Sequence, residues 1–146
     1  MGYAAENFNK QRVEYFAPMI EALGLRETRG EEQEMFGFTE AVGSNIAVRF
    51  EHDRGLCEFS IGAISVPSRH WEVSVVAGLF PRIRLIPGGE QRLSLTEQAQ
   101  LIQTRWTELE QLFAPEQLPA TLAKLQAEVD RSLARLGMNP AVLGAG

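Results

Sequence analysis

The sequence predicts an α+β fold: a three- to four-stranded antiparallel meander packed by an N-terminal helix and a C-terminal helical hairpin. Three observations carry this expectation. Residues 36–62 hold three short runs of alternating apolar residues, separated by two turn signals. Residues 95–136 hold two apolar seams at helical spacing, joined through a short Ala-Pro link. Residues 7–23 hold a third such seam.

Taken in order, the first helix is expected from about Asn7 to Leu23. Val13, Phe16, Ile20 and Leu23 recur at 3-4-3 spacing, and Gly24 is a natural stop. Pro18 lies inside the pattern and removes a backbone donor, so a kink or an earlier start is expected there. Residues 25–34 are polar, and Leu25 to Arg29 is the candidate fourth strand, at the sheet edge. In the meander, Phe36, Phe38, Glu40 and Val42 share one parity, as do Ile46, Val48, Phe50 and His52, and Cys57, Phe59 and Ile61. Side chains two apart on a strand share a face, so each run offers one apolar face and one wetter face. Gly43-Ser44-Asn45 breaks the first run. Asp53-Arg54-Gly55 suits a tight hairpin whose glycine takes a positive φ.

Ser68 can cap a helix from Arg69 to Phe80 with Trp71, Val75, Val76, Leu79 and Phe80 inward. Three valines in that span make strand the competing state. Residues 81–93 read as a loop bounded by Pro81 and Pro87-Gly88-Gly89. Ser94-Leu95-Thr96-Glu97 is a capping box. Leu95, Ala99, Ile102, Trp106, Leu109 and Phe113 follow as a continuous helical seam. Leu118, Leu122, Leu125, Val129, Leu133 and Leu136 form the last seam, stopped by Gly137, and the preceding helix is its expected packing partner. The 146 residues fit one domain, residues 1–137, followed by a tail over 138–146.

Composition narrows the function classes. The net charge is −5, with residues 1–66 carrying 6 Lys/Arg against 11 Asp/Glu. An acidic chain without a basic block argues against nucleic acid as partner. The first residues show neither a basic segment nor a long apolar one, and no apolar run approaches membrane-spanning length. A cytoplasmic protein with no membrane partner is therefore expected. Cys57 is the single cysteine, on the apolar parity of its strand, and reads as packing rather than as a reactive thiol.

Few groups offer chemistry. Two histidines, His52 and His70, with Cys57 do not make a zinc pattern, and no nucleophile–base–orienter set assembles, so no catalytic residue, metal or cofactor is assigned. Glu40 shares a parity with Phe36 and Phe38; it reads as a strand-end carboxylate paired with an arginine of the neighbouring strand. Trp106 reads as core. Trp71, beside His70, is the better exposed contact, and Glu31, Glu32 and Glu34 form an acidic patch for a basic partner. The alternative site is an anion- or nucleotide-binding loop of Arg82, Arg84, Gly88, Gly89 and Arg92, guanidinium forks around a glycine turn.

The order of elements, with "VRFEHDRGLCEFSIG" at its centre and "LSLTEQAQLIQTRWTELEQLF" after a Trp-containing segment, resembles small bacterial proteins akin to the immunity proteins found beside polymorphic toxins. The resemblance is one of pattern and transfers no residue roles. It implies a non-catalytic protein-binding module that inhibits by occlusion. A homodimeric structural protein and the anion binder are the competing expectations.

Overall fold

A computed structural model describes residues 2–80 and 93–135. Arg82, Arg84, Gly88, Gly89 and Arg92, the whole of the alternative anion site, lie outside the described residues, as do Leu136, Gly137 and the tail. The architecture is α+β. Among the described residues a five-stranded antiparallel sheet runs in sequential order: β1 (Arg26–Glu32), β2 (Phe36–Val42), β3 (Ile46–Asp53), β4 (Leu56–Ala63) and β5 (Trp71–Glu72). The expected three or four strands become five because the edge strand β1 forms, running on to Glu32, and β5 adds to the other edge. A two-residue strand is too short to show any periodicity.

The N-terminal helix begins earlier than its spacing implied. It comprises α1 (Tyr3–Gln11), a π turn (Arg12–Phe16) and α2 (Ala17–Leu23). Pro18 cannot donate a helical hydrogen bond, and the wider turn just before it takes up the mismatch, the Ala17 N–H reaching back to the Arg12 carbonyl. The extra residue in that turn rotates the phase of everything before it. Ala5, Phe8, Phe16 and Met19 face inward as a result, while Val13, expected inward, is 60% exposed.

Turn length sets which side of each strand is dry. The first hairpin turns on Ser44 and Asn45, with the Gly43 N–H donating to the Ile46 carbonyl at 2.9 Å. A two-residue turn pairs even positions of β2 with odd positions of β3, as in Val42 with Ala47 and Phe38 with Glu51. The apolar residues of both strands are even-numbered, so they are forced onto opposite faces. Gly37, Thr39 and Ala41 therefore join His52, Phe50 and Val48 on the helix side. The β3–β4 hairpin pairs even with odd apolar positions, Phe50 with Phe59 and Val48 with Ile61, so those strands agree. Its turn residues Arg54 and Gly55 both have positive φ, 55° and 89°, the conformation whose twist matches a two-residue hairpin.

The helix-side core is aromatic. Phe50 packs against Phe59 at 4.9 Å, Phe8 at 5.6 Å and Phe16 at 6.1 Å between ring centres. Residues 69–80 are neither the expected continuous helix nor a full strand. β5 is followed by α3 (Val73–Val76) and a 3₁₀ turn (Ala77–Leu79). The capping box forms: Ser94 Oγ accepts from the Glu97 N–H at 3.1 Å, and Glu97 Oε1 accepts from the Ser94 N–H at 2.9 Å. The helix it starts is not continuous to Phe113. It divides at Arg105 into α4 (Leu95–Thr104) and α5 (Trp106–Leu112). The Thr104 hydroxyl donates back to the Gln100 carbonyl at 2.7 Å, a bond that bends helices. The last helix, α6 (Leu118–Arg135), buries Leu118 and Leu125 and lies on α3 and the 3₁₀ turn; Thr121 ties it to the end of α5 through the Leu112 carbonyl at 2.6 Å.

Candidate interaction surface

Register assigns a definite set of side chains to the second face of the sheet, on which no helix lies among the described residues. Residues directly opposite one another share a face, so the pairing tables read as cross-strand rungs. One rung crosses all five strands: Arg29, Glu40, Arg49, Ser60 and Glu72. The next holds Glu31, Phe38, Glu51 and Glu58, and the last, at the hairpin end, holds Phe36, Asp53 and Leu56.

The central rung is tightly paired. Arg49 Nε donates to Glu40 Oε2 at 2.9 Å, Arg29 Nε stands 3.4 Å from Glu40 Oε1, and the Thr28 hydroxyl donates to the same oxygen at 3.2 Å. Both guanidinium groups lie over the Phe38 ring, Arg49 at 4.2 Å and Arg29 at 5.7 Å, so Phe38 serves as their platform. Burial alone would raise the Glu40 carboxyl. The Arg49 hydrogen bond, with both cations, more than reverses that and holds it below the ordinary carboxylate range. Glu40 is paired with its neighbour's arginine as expected, but it is 7% exposed rather than at a wet strand end. Glu51, one rung away, is pushed the other way. Burial raises it and, with a small like-charge push from Glu72, outweighs the opposing hydrogen bond from Ser60 and the Arg49 charge.

The hairpin end is apolar. Among the described residues Met35, Phe36 and Leu56 are 55%, 49% and 77% exposed, and the Arg54 N–H donates to the Met35 carbonyl, joining the two turns that carry them. A shallow cleft of about 210 Å³ opens there, lined by Phe36, Phe38, Glu51, Asp53, Leu56 and Glu58. A larger groove, about 830 Å³, lies between the Ser44–Asn45 turn and α5, and of the three glutamates in its wall Glu110 has a structural task. Glu110 Oε2 accepts from the Ser44 and Asn45 N–H groups at 3.1 and 3.0 Å, clamping the turn.

The residues singled out from sequence are not brought together. Trp71 is not an exposed contact. It pairs with Ile61, which puts it on the helix side against Phe113 at 6.3 Å, and it is 5% exposed. Trp106 is half-buried instead, leaning over Gly43, where a side chain would leave no room for its ring. His70 is half-buried above Gly62 on the second face, with both ring nitrogens buried and without a hydrogen-bond partner; desolvation and the Arg49 charge lower its pKa. Glu31 and Glu32 are exposed on β1, at the opposite edge from β5, and adjacent strand residues point to opposite faces. Glu31 accepts from Gln33 at 2.7 Å, Glu32 from Asn9 at 2.7 Å, and Glu34 lies against Gly2. They do not form one acidic patch.

His52 and Cys57 do face each other across the hairpin, but not as a nucleophile and its base. His52 Nδ1 accepts from the Gly55 N–H at 3.1 Å, and burial pushes the Cys57 thiol up to about 11, leaving it protonated near neutrality. No three His, Cys, Asp or Glu side chains among the described residues converge to hold a metal ion, and no described helix is long and apolar enough to cross a membrane. No protein-family model, curated protein or solved structure matches the chain. The surface residues that sequence reasoning missed, Phe36, Leu56, Arg49 and Glu51, were signalled by the odd–even pairing that a two-residue turn imposes.

Proposed function

We propose that this chain is a non-catalytic protein-binding module of the cytoplasm that docks the apolar end of the sheet face opposite its described helices onto a basic protein and acts by occlusion, in the manner of immunity or antitoxin-like inhibitors. The observation that carries this reading is the composition of one corner of one face. Met35, Phe36 and Leu56 are solvent-exposed together and are bordered by Asp53, Glu51 and Glu58. An exposed apolar cluster rimmed by charge of one sign is the pattern of a protein contact, the apolar centre giving affinity and the rim selecting partner charge.

A photo-cross-linking residue placed at position 36 or 56 in source cells tests it, with position 120 on α6 as control. The expected result is an adduct with a basic protein from 36 and 56 but not 120, diminished by added salt and by Asp53→Lys with Glu51→Lys. Equal labelling from position 120, no adduct from either position, or an adduct with a second copy of this chain would overturn the reading.

A further inference from the structure

The outer edge of β1 is open, and its register fixes what can pair with it. All seven residues of Arg26–Glu32 are exposed, and among the described residues β2 is their sole neighbour in the sheet. Across the turn joining these strands, the Gln33 N–H donates to the Phe36 carbonyl at 2.9 Å. Backbone direction alternates along an antiparallel strand, so Glu31 and Arg29 turn their N–H and C=O groups toward β2, while Glu32 and Gly30 turn theirs outward. A register shift between Glu27 and Arg29 interrupts the strand on its far side. A short edge with outward donors and acceptors therefore runs from Arg29 to Glu32.

Charge commonly blunts such edges against pairing. Here the charges select one register instead. When a strand pairs with its own copy about a two-fold axis normal to the sheet, one residue faces itself and its neighbours pair symmetrically around it. An axis through Arg29 sets two arginines against each other, and an axis through Glu31 or Glu32 sets two glutamates against each other. An axis through Gly30 sets Arg29 against Glu31 of the second copy, twice, and leaves no side chain at the centre. Opposite charges directly across a strand pair favour a register, and like charges oppose it. Both side chains stand on the face opposite the described helices, Arg29 in register with Glu40 and Glu31 with Phe38. The helix side adds an apolar group. Asn9 of α1 donates to Glu32 at 2.7 Å, which brings that flank of the helix to the edge, and Val13, one turn along the same flank, is 60% exposed.

We propose that β1 pairs antiparallel with β1 of a second copy of this chain, about a two-fold axis at Gly30, joining the two sheets into one. This pairing is independent of the binding role proposed above. Leu56 lies on β4, three strands from this edge, so cross-linking from position 56 and self-association through β1 succeed or fail separately.

Sedimentation equilibrium over a concentration series, with amide hydrogen exchange of the same samples, is the test. Mass is expected to climb from one chain toward two, less steeply in high salt. The Gly30 and Glu32 amides are expected to gain protection as it climbs, while the Glu31 amide, already turned to β2, does not change. Glu31→Arg sets arginine against Arg29 and is expected to weaken association about tenfold or more; Arg29→Glu does the same with glutamates. Mixed in equal amounts, the two variants restore opposite charges across the seam and are expected to associate more tightly than either alone. If Arg29→Glu does not fold beside Glu40, Glu31→Arg mixed with wild type takes its place, with an affinity between those of the two chains alone. A chain monomeric at every concentration, association unchanged by Glu31→Arg, a mixture no tighter than its weaker component, or protection at Gly30 and Glu32 that is independent of concentration would overturn the proposal.

Discussion

Glu40 and Glu51 occupy neighbouring rungs of the same face, yet their environments push their carboxyl groups in opposite directions. For Glu40 the folded value lies below the ordinary 4.5, so its contribution to stability is complete above that pH and is lost as pH falls through the lowered value. Glu40→Gln is expected to lower stability by about 2 kcal/mol at neutral pH, below the figure for a fully buried pair because Arg29 is 54% exposed. Urea titrations of wild type and variant should converge in acid. Glu51 behaves oppositely. Its raised folded value makes the ionised form unfavourable, so Glu51→Gln is expected to raise the melting temperature at pH 7, the gain shrinking as pH falls through the raised value and ending below 4.5. Arg54 sits at φ 55°, a conformation that asparagine tolerates better than a long side chain. Arg54→Asn is expected to stabilise by about 0.5–1 kcal/mol, read from the denaturation midpoint.

The elements differ in how much of them the chain discloses. The capping box at Ser94 and the hairpin at Arg54-Gly55 are local chemistry, written in adjacent residues, and both form as the sequence implies. The start of the N-terminal helix and the face of β2 are not local. Val13 turns outward because it lies in the π turn that forms ahead of Pro18, and Phe36 turns outward because of a turn eight residues away. Trp71 is a buried residue rather than an exposed contact for a related reason: its burial depends on pairing with Ile61 and on Phe113, neither of which its neighbours reveal. The candidate surface was therefore illegible until register was known, although the odd–even count across Ser44-Asn45 was available. At this scale close approach can be tested directly. A side chain on Gly62 would meet the Arg69 carbonyl at 2.6 Å and the His70 ring at 2.7 Å, so the segment joining β4 to β5 would have to move. Gly62→Ala is expected to cost about 2 kcal/mol or more, measured by chemical denaturation.

Among the described residues, one layer of helices covers one side of the sheet, and the other side carries ion pairs where it is central and exposed apolar side chains at its hairpin end. Phe36→Ser with Leu56→Ser removes exposed side chains, so unfolding free energy is expected to change by less than about 0.5 kcal/mol while cross-linking to the partner is lost. Hydroxyl-radical footprinting of the monomer tests the underlying geometry most directly, because it reports solvent access residue by residue. Phe36 and Leu56 should label rapidly, while Phe50 and Phe59, 0% exposed on the opposite face of the same sheet, should be protected until the chain unfolds. Labelling of Phe36 as slow as that of Phe50 would place both on one covered face and contradict the account.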